Sequence, residues 1–150
     1  MPIFRKVNEK DIAQIVALEK EVFSDAWSEV SVRETVNQTQ AFITVAEVEE
    51  AVAGYCIIYH VMDEAEIARI AVGEAWKRQG VGSALLEYTL SCCKEQQIER
   101  VLLDVRESNV AARMFYEKHG FAIDGMRKDF YEQPKESAVL MSLSVSNFFH

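Results

Sequence analysis

Two groups of residues in this chain have types and spacings suited to chemistry. The first is Lys77-Arg78-Gln79-Gly80-Val81-Gly82-Ser83, set between the apolar run Glu66–Val72 and a long helical pattern. Ile67, Ile70 and Val72 are β-branched, so the run reads as a strand. Strand, glycine loop and helix in that order make an anion cradle: the loop gathers backbone N–H groups and the helix N-terminus adds its positive dipole. Gly80 and Gly82 suit it, because a side chain there would hold a phosphate off the backbone. A P-loop would need Lys and then Ser or Thr after its last glycine, where this chain has Ser83-Ala84. A dinucleotide fingerprint would need a small residue where Leu85 stands. On spacing alone, an ordinary strand-to-helix turn also fits.

The second group is Asp104, Asn109 and Tyr116. Asp104 lies at the end of the apolar run from Val101, which feeds a helical stretch from Val110 to His119. Asn109 and Tyr116 are seven residues apart, hence on nearly one helix face. A carboxylate, an amide and a phenol thus converge beside the strand that enters the glycine loop. Each also has a plain reading: Asn109 as a helix cap, Tyr116 as a half-buried aromatic, Asp104 as a partner for Arg106. Glu66 is a further carboxylate on the strand itself, and under strict alternation it shares a face with Ile70.

The elements that must position these groups follow from pattern. Ile3 to Val7 reads as a strand, and Asn8 caps a helix whose inward positions are Ile12, Ile15, Val16, Glu19, Val22 and Phe23. Ser24-Asp25-Ala26-Trp27 breaks that helix, and Ser28 with Glu29 opens a second through Val32 and Val36. Trp27 is either core or the lip of a substrate groove. Ala41–Ala46 and Ala51–Met62 read as antiparallel strands around a polar turn at 47–50. A buried helix spans Gly82–Gln97, Gly120 stops the next, and Ala122–Arg127 and Ala138–Val145 close the chain as strands around a hairpin with Pro134. The order β-αα-βββ-α-β-α-ββ predicts an α/β fold with a mixed sheet flanked by helices.

Composition bounds the function. The length of 150 residues predicts a single domain over 1–150, and 49% hydrophobic with 27% charged residues predicts an ordered core. No apolar run reaches the roughly 18 residues of a membrane span, and Met1–Lys6 lacks a signal-peptide core, so a cytoplasmic protein is expected. A formal charge of −8 argues against general nucleic-acid binding and agrees weakly with a cationic substrate. Cys56, Cys92 and Cys93 have neither disulfide nor zinc spacing, so no metal is expected and the thiols read as packing residues. His60 reads as a strand residue and His119 as a helix C-terminal residue.

Lys-Arg-Gln-Gly-Val-Gly-Ser after Ile-Ala-Val and before Ala-Leu-Leu resembles the pyrophosphate loop of the GCN5-related N-acetyltransferases (GNAT). Lys77 stands where that pattern has Gln or Arg. The element order is also that of the GNAT acyl-coenzyme A N-acyltransferase fold. The resemblance implies acetyl-coenzyme A as co-substrate, its pyrophosphate on the amides of Arg78, Gln79, Gly80, Val81, Gly82 and Ser83. It also implies that the pantetheine arm pairs with the backbone of Ile70, Ala71 and Val72. The stretch from Leu103 to Phe121, with Ala26-Trp27-Ser28-Glu29, Asp63-Glu64-Ala65 and Arg127-Lys-Asp-Phe-Tyr131, is similar to one branch of the family. That branch is the RimI-type ribosomal-protein-alanine acetyltransferases, and the likeness runs from about Ala13 to Leu143.

This second likeness implies a base at Asp104, an acid at Tyr116, a coenzyme A contact at Asn109, and substrate contacts at Trp27 and Tyr131. The implied partner is the N-terminal alanine of a small-subunit ribosomal protein, protein eighteen in that branch, with neither membrane nor direct nucleic-acid contact. Three departures stand out: Asp104 replaces the usual Glu, Ala26 replaces a Pro before Trp27, and the hairpin after Tyr131 is short and lacks a Pro at Glu132. The chemistry suits the residue types. An α-amine has a pKa of about 8 and must lose a proton before attack. A strand N–H such as that of Val72 is the natural donor to the oxyanion, and a tyrosine can protonate the leaving thiolate. Glu66 or a water chain competes with Asp104 as base. The rival functions are an acetyltransferase for a small amine, such as a polyamine or aminoglycoside, and a non-catalytic acyl-coenzyme A-binding module.

Overall fold

A computed structural model of the chain describes residues 1–132 and 134–149. Among them, seven strands form one sheet in the order β1-β2-β3-β4-β5-β7-β6. The elements are β1 (Ile3–Lys6), α1 (Ile12–Val22), α2 (Glu29–Val36), β2 (Ala41–Val48), β3 (Ala51–Val61), β4 (Glu64–Val72), α3 (Val81–Glu95), β5 (Arg100–Arg106), α4 (Val110–Lys118), β6 (Ala122–Glu132), β7 (Lys135–Ser144) and α5 (Val145–Phe148). This is the expected order with one short helix added at the end. Val145, read as the close of the last strand, instead opens α5.

Helix ends follow their caps. Ser28 accepts from the Ser31 amide at 3.1 Å to start α2, and Asn109 accepts from the Ala112 amide at 3.1 Å to start α4. Asn8 caps a 3-10 turn, Glu9–Asp11, rather than the long helix directly. That turn is held by Arg5, which reaches Asp11 at 2.7 Å. Gly120, at φ 97, takes the left-handed conformation that ends α4.

Two apolar layers cover the two faces of the sheet. One packs α3 and α4 on it through Leu85, Leu86, Leu90, Val101, Leu103, Tyr116 and Met141, all buried. The other packs α1 and α2 through Ile12, Ile15, Val32, Ile43, Tyr55 and Ile57. Cys56, Cys92 and Cys93 are buried free thiols.

β4 is the element that opens the sheet. Ile57 pairs with Arg69 while Ile58 pairs with Ile67, so Ala68 is an extra residue bulged out of the ladder. The bulge reverses side-chain alternation: Ile67 and Ile70 both face the α3/α4 layer, while Ala68 and Ala71 face α1 and α2. The parallel pairing of β4 with β5 extends only from Glu64–Arg100 to Glu66–Leu102. Past the bulge the two strands separate, and the sheet is split at its centre.

Candidate active site

The split forms a cleft of about 680 Å³. Ile67 to Val72 of β4 line one wall and Leu103 to Arg106 of β5 the other. Phe23 and Asp25, between α1 and α2, close one face, with Tyr131 of the β6–β7 hairpin beside them. Asn109, Ala112, Phe115 and Tyr116 of α4 close the other. The cleft therefore passes through the sheet and is reachable from both faces.

Backbone polarity inside it follows from one bond. The Gly73 amide donates to the Ala53 carbonyl at 2.8 Å, and Gly54 faces Val72 in the antiparallel ladder. In such a ladder the polar groups of alternate residues point to opposite neighbours. The N–H and C=O groups of Ile70 and Val72 therefore point into the split, where β5 does not pair with them. They form a strand edge inside the sheet, able to bind an extended amide-bearing chain.

A second depression, of about 240 Å³, adjoins Val72 and is lined by Trp76, Lys77, Arg78, Gly80, Val81, Gly82, Ser83 and Phe115. Gly80, at φ 77, is the N-cap of α3, and with no side chain it cannot accept from the first helical amides. Arg78 is also left-handed, at φ 65, which turns the loop tightly into the helix. A Cβ at Gly82 would stand 3.5 Å from Val72 Cγ2 and 3.7 Å from Phe115 Cε1, both walls of this depression. Gln79, expected among the contacts, is not a wall; its side-chain amide turns back to the Ala75 carbonyl at 3.4 Å.

Asp104 and Tyr116 reach the cleft from opposite faces. Val101, Leu103 and Val105 point into the α3/α4 core, so Asp104, between them in the alternation, faces the α1/α2 side. Its carboxylate accepts from the Tyr131 hydroxyl at 2.6 Å. Arg106, the plainer partner for it, lies with its guanidinium 4.4 Å above the Tyr131 ring and pairs with Glu136 at 3.3 Å. Tyr116 is 7% exposed, edge-on to Phe115 and Phe121 at 5.3 and 5.4 Å. Burial first, with smaller contributions from nearby Cys56 and Asp104, pushes its phenol up, so it stays protonated near neutrality. Asn109 lines the cleft while its oxygen caps α4.

One expectation requires correction, and Trp27 takes the first of its two readings, as core. Glu66 does not share a face with Ile70, because the bulge at Ala68 lies between them. It lines a separate depression with Tyr59, His60 and Leu102. Partial burial, then the nearby charge of Asp104, pushes its carboxyl up. Trp27 is not a wall of the main cleft; it packs on the α1/α2 layer, 6.5 Å from Tyr59.

Sequence reasoning missed a buried ion pair behind the cleft. Glu19 of α1 is 0% exposed and accepts from the Trp27 amide at 2.8 Å and from the Tyr55 hydroxyl, and it meets Arg69 at 3.3 Å. Arg69 lies 4.0 Å over the Phe23 ring and donates to the Asp25 carbonyl at 2.8 Å. The pair thus fixes the 23–27 loop against β4. An acidic residue at an inward helical position was the available signal.

The model of the acetyltransferase (GNAT) family matches residues 12–121. This chain belongs to that family. The acetyltransferase is 32% identical over 143 residues to a Bacillus subtilis (strain 168) protein provisionally named a ribosomal protein bS18-alanine N-acetyltransferase, with 95% of each chain covered. It is 30% identical over 146 residues to the Haemophilus influenzae enzyme of that name, covering 95% of this chain and 98% of the relative. Its fold matches the crystal structure of the ribosomal-protein-S18-alanine N-acetyltransferase from Escherichia coli with a TM-score of 0.89 and 27% identity, over 97% of this chain and 94% of the other. Among the described residues of the acetyltransferase, no helix is long and apolar enough to cross a membrane.

Proposed function

We propose that this enzyme acetylates the N-terminal α-amine of a protein, an alanine of ribosomal protein bS18, from acetyl-coenzyme A in the cytoplasm, as one domain. The observation that carries the reading is the cleft through the split sheet. It offers an acid from one face and a carboxylate from the other, as direct transfer between two substrates requires. The acceptor named for the relatives supports the choice of amine.

Acetyl-coenzyme A supplies the acyl group, activated as a thioester. The residues present fit it: Gly82 leaves clear the floor between Val72 and Phe115, and α3 begins on amides with no side-chain cap. We assign the pyrophosphate to the backbone of residues 78–83 and the pantetheine to the inward backbone groups of Ile70 and Val72. Asn109 contributes its remaining amide donor. The Val72 N–H is the donor for the acyl oxygen. Asp104 takes the proton of an amine whose pKa is about 8. Tyr116, kept protonated by burial, delivers a proton to the departing sulfur. Tyr131 stands on the acceptor side of the cleft.

Acetyl transfer to a panel of N-terminal peptides and small amines tests the acceptor. The N-terminal alanine peptide of bS18 is expected to have the highest kcat/KM; a polyamine or aminoglycoside ahead of every peptide overturns the proposal. Gly82→Val tests the cofactor site. Calorimetry is expected to give a coenzyme A affinity weaker by more than about tenfold, because the side chain fills the cradle. Unchanged affinity removes the pyrophosphate from this loop.

A further inference from the structure

Asp104 is one methylene shorter than the glutamate usual for the implied base, a shortfall of about 1.5 Å. The structure holds a group that makes up that distance. The Tyr131 hydroxyl lies 2.6 Å from Asp104 Oδ1, and both residues line the cleft. This length is that of a charge-assisted O–H···O⁻ bond. A tyrosine hydroxyl has one proton and two lone pairs. With its proton committed to Asp104, the oxygen can only accept from whatever enters the cleft.

We propose that Tyr131 and Asp104 are one proton-accepting unit, in which the Tyr131 oxygen meets the acceptor ammonium and Asp104 receives the proton. The proposal rests on the reading of Asp104 as base. In the step, the ammonium N–H proton passes to Tyr131 Oη as the Oη proton passes to Asp104 Oδ1. The products are a neutral amine, a neutral tyrosine and a protonated carboxyl; no group is oxidised or reduced. Asp104 afterwards returns its proton to solvent along the same path. Burial, and next the bond to Asp104, pushes the Tyr131 phenol up. A free phenolate is therefore not formed, and the two transfers are coupled.

The hairpin is built to hold this geometry. The Arg106 guanidinium lies 4.4 Å over the Tyr131 ring and donates to the Pro134 carbonyl at 2.9 Å. The Ser108 amide donates to Glu136 at 2.6 Å, tying the hairpin to the end of β5. Tyr131→Phe keeps the ring and the cation above it and removes only the hydroxyl.

The test is kcat/KM for an N-terminal alanine peptide with Asp104→Asn, Asp104→Glu, Tyr131→Phe and the double variant Asp104→Glu/Tyr131→Phe. Tyr131→Phe alone is expected to lose about 100-fold or more, the lower range of acid–base catalysis. In the Asp104→Glu background the same change is expected to cost less than about fivefold, because the longer carboxylate reaches the amine itself. Equal losses in the two backgrounds overturn the unit and leave Tyr131 as a peptide contact. A proton inventory of the natural enzyme in mixed H2O and D2O is expected to bow, since two protons move together. A straight line, or no solvent effect, overturns the proposal whatever the activity of Asp104→Glu. Asp104→Asn near natural activity instead removes Asp104 as base, a separate failure that overturns the reading on which the unit rests.

Discussion

Tyr55 donates to Glu19 and Tyr131 donates to Asp104, so the same chemical pair occurs twice on one side of this sheet. The surroundings differ. Glu19 is 0% exposed and its oxygens also take the Trp27 amide and the Arg69 guanidinium. Solvent does not reach Glu19, and a charge so enclosed is held by its partners. Asp104 accepts from Tyr131 at the wall of an open cleft, where an incoming cation can join the pair. A carboxylate enclosed with its donors is architecture; one at the wall of a cleft is open to an incoming cation. The first also serves the second, because Arg69 fixes Phe23 and Asp25, which line the cleft on the same face as Tyr131.

The largest effect expected from this difference is on stability. Glu19→Gln leaves Arg69, whose side chain is 13% exposed, without its buried counter-charge. Breaking a buried pair from one side costs about 3–5 kcal/mol. Asp104→Asn removes a charge that solvent can reach, and is expected to change unfolding free energy by less than about 0.5 kcal/mol. Urea unfolding of the two variants measures both. Similar losses at the two positions would erase the distinction between them.

The glycine loop and the cap of α4 were more legible in the sequence than the strand faces around the cleft. The glycine loop is short and local, so the positive φ of Gly80 and the cap at Asn109 follow from residues adjacent to them. The face of Glu66 depended on strict alternation. Nothing in Glu66–Val72 marks Ala68 as a bulge, which is fixed by pairing with β3. Helical spacing put Glu19 inward, but its partners lie 8, 36 and 50 residues away, beyond the reach of any local pattern. β6 runs to Glu132, past the expected end at Arg127, because its edge side chains are largely exposed and carry no apolar alternation. The turn expected at 47–50 shrinks to Glu49-Glu50, both with positive φ. Such two-residue turns usually use Asn or Gly, and two glutamates give no such signal.

One chemical change made at both sites separates them. Tyr55→Phe and Tyr131→Phe each delete a hydroxyl that donates to a carboxylate. At Tyr55, 0% exposed, no water can replace it, and Glu19 is left with one donor fewer. Burial, then Glu19 itself, pushes the Tyr55 phenol up, so the proton lost is one the fold always holds. Hydrogen bonds to charged groups contribute about 1.5–3 kcal/mol, and Tyr55→Phe is expected within that range. At Tyr131 the cleft admits water to Asp104, so the same deletion is expected to cost less than about 0.5 kcal/mol of stability. The losses should invert in the assay: turnover falls steeply with Tyr131→Phe, whereas Tyr55→Phe retains most of it at temperatures where the variant is folded. Unfolding curves and kcat/KM on the same two preparations decide the matter. If Tyr131→Phe proves the more destabilising, the hairpin tyrosine is a structural strut like Tyr55, and access to the cleft does not separate the two carboxylates.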